Sequence, residues 1–277
     1  SNLRSFISRG GNVFFAQNRI NVDIQTQQAN PIQSNIFSIL DSYGLTIKEN
    51  LVLDKTCNQV NVQQQMGPFR MAVPMDYPFL PILKKFNASE VTVNGLESIS
   101  LIFTSEIQAD SVYSDNLVEF TPLLYTSNRS SSMSEFYNLN PDPKTNPVFN
   151  QLTEPSKVVG ARSIVADKQT GIESNLTLVS DSQLFSDQGG GGSQNNIIFV
   201  MNTIDYMLGD SELIALRSRE VLDRPLIGDA EGVSNQTRLT WKIINMLLPT
   251  LLIIILGIFY RRKQNNKSKI LQAIYEK

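Results

Sequence analysis

The chain of 277 residues contains no histidine and a single cysteine, Cys57. These absences exclude Ser-His-Asp and Cys-His catalysis, zinc sites that use histidine, and any disulfide within the chain. An enzyme of this composition would depend on carboxylates, lysine, tyrosine or a bound cofactor. Cys57 is predicted to be a buried or partly buried apolar side chain, because nothing beside it in the sequence marks a reactive thiol.

A glycine-rich phosphate loop is also missing from the sequence. The pair Gly10-Gly11 comes before an apolar run, whereas a dinucleotide fingerprint places its glycines after a strand and at the start of a helix. The pair is therefore predicted to end a helix over residues 1–9. No signal peptide or first strand precedes residue 1, so we expect that an N-terminal part of the domain is missing.

Positive charge is concentrated at the C-terminal end. Residues 261–277 hold six of the 24 basic residues and one of the 26 acidic residues, which leaves residues 1–260 with a net charge of −7. An acidic body argues against nucleic acid as a partner, because phosphates require a basic surface. The basic tail is typical of a topology signal that contacts anionic membrane lipid.

The longest apolar run is 243–260, directly before this tail. Eighteen helical residues would extend about 27 Å, close to the hydrocarbon thickness of a bilayer. Trp241 and Tyr260 flank the run, as aromatic residues do at membrane interfaces. The basic residues that follow it are Arg261, Arg262 and Lys263.

This pattern predicts a transmembrane helix over 239–260 with a cytoplasmic tail at 261–277. The domain at 1–238 would then lie outside the cytoplasm, held at a bacterial inner membrane. Within the predicted helix, Pro249 would free a carbonyl that a neighbouring helix could satisfy, and Asn245 could form a hydrogen bond across the same contact or lie near the lipid headgroups.

Strands and helices alternate in the predicted secondary structure. Val13–Ala16 and Thr46–Asp54 are predicted as extended segments, followed by short strands at 58–62 and 71–73 in a region interrupted by Pro68, Pro74, Pro78 and Pro81. Ile32–Tyr43 and Ile197–Leu208 are predicted as amphipathic helices, and DKQTG at 167–171 as a turn between two β-rich runs. This alternation predicts an α/β fold with a mainly parallel sheet flanked by helices. A polar excursion is expected at 123–156.

A flexible glycine loop is expected at 189–193. Its sequence, GGGGS, resembles an engineered linker, although its flanks read as one continuous natural segment.

Two strand ends carry candidate ligand groups. Asp181 and Ser182 follow an apolar strand, where α/β sheets usually bind ligands, and Asp54 ends another. These carboxylates could bind a cation or a sugar hydroxyl. The alternative is that Asp181 accepts local backbone hydrogen bonds, as in an Asx turn or helix cap.

The most highly charged segment is 210–226, DSELIALRSREVLDRPL. Arg217, Arg219 and Arg224 are candidate contacts for a partner or ligand. Such mixed clusters more often form surface salt bridges, and that alternative stays open here.

The order of these motifs resembles a known family. GGNVFFA, LDSYGLTIKENLVLD, TLVSDSQLFSD and NNIIFVMNTIDYMLGDSELIALRSREVLDRPL, followed by the apolar run, are similar to the GldG-type gliding-motility-associated ABC transporter auxiliary proteins, in their C-terminal portion. The resemblance implies a domain similar to flavodoxin-like and class I amidotransferase-like folds. It also implies an ABC-2 type permease and an ATPase as partners, and a subunit with no catalysis and no cofactor of its own.

The leading hypothesis is therefore a non-catalytic, membrane-anchored auxiliary subunit of an ABC transporter, which binds a substrate or partner protein and couples to a permease. Two alternatives remain. One is a glycan hydrolase that uses Asp54 and Asp181, and the other is a module that binds a cell-envelope polymer in an aromatic groove. The aromatic candidates are Tyr77, Phe79, Tyr113, Tyr125 and Tyr137.

Overall fold

The computed structural model describes residues 2–66, 69–109, 116–186, 193–220 and 240–249, together with 253, 254, 256, 257 and 261. The chain divides into two compact units, Ser1–Leu222 and Asp223–Lys277.

The helices of the first unit are α1 (Asn2–Ile7), α2 (Asn35–Asp41), α3 (Gln194–Leu208) and α4 (Ser211–Glu220), with short 3-10 helices at Val91–Val93 and Pro147–Asn150. The strands are β1 (Val13–Ala16), β2 (Ile20–Asp23), β3 (Gln28–Pro31), β4 (Leu45–Ile47), β5 (Leu51–Asp54), β6 (Cys57–Met66), β7 (Phe69–Leu83), β8 (Lys85–Phe86), β9 (Ile99–Ser100), β10 (Ile107–Ala109), β11 (Leu117–Tyr125), β12 (Ser130–Met133), β13 (Val158–Ala166) and β14 (Glu173–Val179).

Local signals define the ends of the first two helices. Gly10 follows α1 with a φ of 88°, a left-handed conformation that glycine adopts without strain, and this confirms the predicted cap. The Ser34 hydroxyl caps α2 by accepting a hydrogen bond from the Ile36 N–H. Gly44 follows α2 at a φ of 76°, and a Cβ there would lie 2.8 Å from the Leu117 side chain.

A five-stranded sheet in the order β1-β14-β13-β11-β8 forms the centre of the unit. β1 runs parallel to β14 with Val13 beside Leu176, and the other three neighbouring pairs are antiparallel. A tight turn joins β13 to β14, in which the Asp167 carboxylate accepts the backbone N–H groups of Gln169 and Thr170. The smaller sheets β10-β4, β12-β5, β2-β3 and β6-β7-β9 are antiparallel as well.

The prediction of a mainly parallel α/β sheet is therefore wrong. Among the described strand pairs, β1 with β14 is the one parallel pair. An apolar strand that is buried on both faces has the same composition in either direction, so its residues do not encode how it pairs. The turn at Asp167 is too short for a parallel crossover and forces β13 and β14 to run antiparallel.

The strands β6 and β7 form a long hairpin. Its outer part, which we name the arm, comprises 59–66 and 69–76, and the register pairs Val60 with Met75 and Val62 with Val73. Short strands were predicted at 58–62 and 71–73, and the observed strands extend well beyond both predictions.

Buried apolar side chains form three clusters. One lies between α2 and the five-stranded sheet, and a second packs α3 onto the sheet through Phe199. The third is rich in aromatic side chains and lies at the base of the arm. Segment 123–156, expected to be a polar excursion, contains β12 and contributes Leu139, Phe149 and Leu152 to this third cluster.

The second unit corrects the membrane prediction. Among the described residues, none of the helices has both the length and the apolar character needed to cross a bilayer. The predicted transmembrane helix over 239–260, and the inner-membrane localisation that depends on it, are therefore wrong. Residues 240–249 are helical.

Several residues of the predicted anchor belong to this helix. Trp241, Asn245 and Pro249 lie on it, and Arg261 is also helical. Tyr260, Arg262 and Lys263 lie outside the described residues, as do 250–252.

Candidate functional site

Asp181 lies just beyond the end of β14, beside the end of the parallel strand β1. It is fully buried, and its two carboxylate oxygens accept the backbone N–H groups of Ile102 and Gln183, each at 2.8 Å. The bond from Gln183 is the Asx-turn geometry that the sequence left open as an alternative. Asp181 thus joins the end of β14 to the segment after β9.

The neighbours of Asp181 reinforce this junction. Asn18, just after β1, donates to the Phe103 carbonyl at 3.2 Å and accepts the Ser182 N–H. Phe103 has a φ of 49°, an uncommon conformation for a bulky residue, and its N–H bonds to the Phe79 carbonyl at 3.0 Å. Hydrogen bonds on both sides therefore hold Phe103 in a strained backbone conformation.

Burial raises the pKa of the Asp181 carboxyl to about 6, and the two N–H donors oppose the rise only in part. Between its ordinary value of 3.8 and about 6, the folded state binds more protons than the unfolded state. The free energy of unfolding therefore falls as the pH rises through this window.

We expect Asp181→Asn to remove this dependence. Urea unfolding gives the free energy of unfolding of the native protein and of Asp181→Asn at each pH. The difference between them should fall by ~2–3 kcal/mol between pH 4 and pH 7. Carboxylates with a lowered pKa, such as Glu154, add stability as the pH rises. Their contribution is the same in both proteins, so it cancels when the two stabilities are subtracted. Parallel pH curves for the two proteins would contradict the assignment.

Asp54 occupies a second, separate junction. It is fully buried and accepts the Ser127 hydroxyl at 2.6 Å, the Ser127 N–H and the Thr56 N–H. Its oxygens therefore hold two turns together. None of the hydrogen bonds among the described residues connects Asp54 with Asp181, and the two carboxylates accept from different segments of the chain.

In the arginine cluster, Arg217 forms its hydrogen bonds within the chain. Arg217 on α4 donates to Asn202 at 2.6 Å and to the Asp205 carboxylate at 2.8 Å, both on α3. This is the salt-bridge alternative, and it fixes α4 against α3. Arg219 lies on α4, and Arg224 lies outside the described residues, as does the glycine loop 189–193 up to residue 192.

The arm presents a surface that the sequence analysis missed. Cross-strand partners point to the same side of a hairpin, so the register divides the arm into two faces. The apolar face carries Val60, Val62, Phe69, Met71, Val73 and Met75 together with one polar residue, Gln64, and the opposite face carries Gln59, Asn61, Gln63, Gln65, Arg70, Ala72, Pro74 and Asp76. Phe69 and Met71 on the apolar face are exposed, whereas apolar faces are normally covered.

A cleft of about 470 Å³ adjoins the base of the arm. Val73, Met75 and Phe149 contribute apolar surface to it, and Lys55 and Asp76 contribute charges of opposite sign. The cleft extends the arm's apolar face toward segment 143–150. Period-two alternation of apolar residues in β6 and β7 was the signal that could have identified this face.

The aromatic candidates do not form a groove. Tyr77 and Phe79 are buried, and the Tyr77 hydroxyl donates to the Leu139 carbonyl at 2.8 Å. Tyr125 and Tyr137 are partly buried, and Tyr113 lies outside the described residues. Cys57 is partly buried, and burial raises the pKa of its thiol to about 11, which favours the protonated thiol at neutral pH.

Comparison with known proteins identifies relatives of this chain. A family model described as an ABC-type uncharacterized transport system matches residues 1–210. An uncharacterized protein of Borreliella burgdorferi is 25% identical over 279 residues, which cover 95% of this chain and 53% of that protein. The chain thus spans about half the length of this relative. No solved structure matches the present chain. Because the family model covers most of the chain, this protein belongs to the family of auxiliary proteins of ABC-type uncharacterized transport systems.

Proposed function

We propose that this protein is a non-catalytic auxiliary subunit that binds the permease subunit of its ABC-type transport system through the apolar face of the arm. Family membership supports the transport system. ATP hydrolysis would take place in an ATPase subunit, because this sequence contains no phosphate-binding loop. The gliding-motility type of the resemblance stays a prediction.

One observation carries the proposal, namely the exposed apolar face of a two-stranded arm. Phe69 and Met71 lie near its tip, where the strands pair with each other and leave their outer edges open. Methionine adapts its shape to a partner surface, and aromatic side chains are frequent anchors in interfaces. The arm therefore has the composition of a protein contact.

The polar candidates support a binding role rather than a catalytic one. Asp54 and Asp181 are both fully buried, and each is bound by its own backbone donors. A two-carboxylate glycan hydrolase needs two carboxyl groups that flank one substrate bond. The buried positions of Tyr77 and Phe79 give little support to an aromatic glycan groove.

Paired substitutions on the two faces of the arm test the proposal. With the permease and ATPase coexpressed, we expect Phe69→Ser/Met71→Ser to reduce co-purification of the permease about 10- to 100-fold, because two exposed apolar anchors are lost. The matched control, Arg70→Ser/Ala72→Ser, changes the opposite face at the same height and should retain the permease. All four positions are exposed, so thermal unfolding should be unchanged in both variants. Equal retention by the two variants would overturn the proposal.

A further inference from the structure

Helix α3 exposes large apolar side chains and buries several polar ones, alongside the buried Ile198 and Phe199. After Gln194, every exposed residue of the helix is large and apolar, namely Ile197, Met201, Ile204 and Leu208, with exposed fractions between 45% and 77%. Its buried side includes three polar residues, Asn196, Asn202 and Thr203. A surface helix normally shows the opposite arrangement.

Specific hydrogen bonds keep the apolar side outward. Asn196 accepts the Ser100 N–H at 3.0 Å and donates to the Ser100 carbonyl at 2.8 Å. Asn202 donates to the Thr92 carbonyl and accepts Arg217. Because rotation of α3 would break these bonds, the apolar side chains cannot turn inward within this unit.

The spacing of the exposed residues suits packing against another helix. Steps of four, three and four residues are those of the a and d positions of a heptad, the seam along which two helices pack. The spacing also reads the same in both directions. In an antiparallel pair of α3 helices, Ile197 of one copy therefore lies opposite Leu208 of the other, and Met201 lies opposite Ile204.

We infer that α3 is a self-association surface that pairs antiparallel with α3 of a second copy about a two-fold axis. An interface of this kind matches a patch with itself, as most homodimers do. The helix contains a single charged residue, Asp205, and Arg217 neutralises it at 2.8 Å. No charge on the exposed side of α3 therefore opposes the approach of an identical helix.

The area of the contact sets its strength. The four exposed side chains present roughly 400 Å² per copy, so pairing buries about 800 Å², below the range of stable dimers. The association is accordingly weak and depends on protein concentration. It uses α3 and not the arm, so its failure would leave the proposed function untouched.

Sedimentation equilibrium of the full chain over a range of concentrations measures this association. We expect Ile204→Asp to raise the dissociation constant of the dimer at least about tenfold, because each copy then presents a carboxylate to the apolar seam. The matched control is Ile24→Asp, which adds the same charge at an exposed isoleucine on the β2–β3 hairpin. A native chain that is monomeric at every concentration, or equal effects of the two substitutions, would overturn the inference.

Disulfide trapping tests the direction of pairing. In a Cys57→Ser background, Ile197→Cys mixed with Leu208→Cys should give the mixed disulfide under mild oxidation, because these positions face each other in the antiparallel pair. Ile197→Cys alone should remain uncrosslinked, because its copies lie about 16 Å apart along the axis. Efficient crosslinking of Ile197→Cys with itself indicates a parallel pair and contradicts the inference.

Discussion

Replacing Arg162 by methionine is expected to lower the free energy of unfolding by about 3–5 kcal/mol, because it leaves the Glu90 carboxylate, whose side chain is only 14% exposed, without its partner. Arg162 on β13 donates two hydrogen bonds to Glu90, at 2.6 and 3.1 Å, and its side chain is only 5% exposed. The guanidinium also lies over the Tyr206 ring of α3, 4.6 Å from the ring centroid. A single side chain therefore ties the sheet, the loop at Glu90 and α3 together.

Urea unfolding followed by far-ultraviolet circular dichroism measures the effect. Tryptophan fluorescence is unsuitable, because the single tryptophan, Trp241, belongs to the other unit. The double variant Arg162→Met/Glu90→Leu should regain most of the loss, since it removes both buried charges. The control Lys55→Met breaks an exposed ion pair with Asp76 and should lose less than about 1 kcal/mol. Equal losses for Arg162→Met and Lys55→Met would contradict the prediction.

Phe79→Ala is the second substitution with a large expected effect, a loss of about 3–5 kcal/mol in the free energy of unfolding. Phe79 is fully buried at the base of the arm. Its ring centroid lies 5.3 Å from Tyr77, 5.7 Å from Phe149 and 6.2 Å from Phe103. Truncation removes all three ring contacts and leaves a cavity that the surrounding rings cannot fill.

The matched control for this substitution is Phe136→Ala, because Phe136 is 77% exposed. It should change the free energy of unfolding by about 0.5 kcal/mol or less. Phe79→Leu keeps most of the volume and should lose less than Phe79→Ala. The prediction fails if urea unfolding gives Phe79→Ala and Phe136→Ala the same midpoint.

Elements with strong local signals could be predicted from the sequence. Val13–Ala16 is a strand as predicted, and the helix predicted over 197–208 is α3, which begins three residues earlier. The turn at Asp167 was also predicted, since its residues form hydrogen bonds with each other. In each case the determining contacts lie within a few residues.

The arm and the direction of the sheet could not be predicted in this way. β6 contains a run of asparagine and glutamine, which rarely form strands alone, and β7 contains Pro74, Pro78 and Pro81, which suggested loops. Proline is tolerated where the strand edge lacks a neighbour, and that depends on tertiary structure.

The candidate carboxylates show the same limit. The sequence placed Asp54 and Asp181 correctly at strand ends. Their partners Ser127 and Ile102 lie 73 and 79 residues away along the chain, so their burial in separate junctions could not be deduced. Period-two alternation marks the apolar face of the arm within each strand, but the register that joins the two strands is not encoded locally.

The parallel pairing of β1 with β14 has a consequence for biosynthesis. Val13 meets Leu176, so the edge of the sheet closes only after almost the whole first unit has left the ribosome. Contacts this distant in sequence slow folding. Until they form, the nascent chain exposes the apolar VFFA segment as an unpaired strand. We therefore expect the emerging chain to be more prone to aggregation than the folded unit.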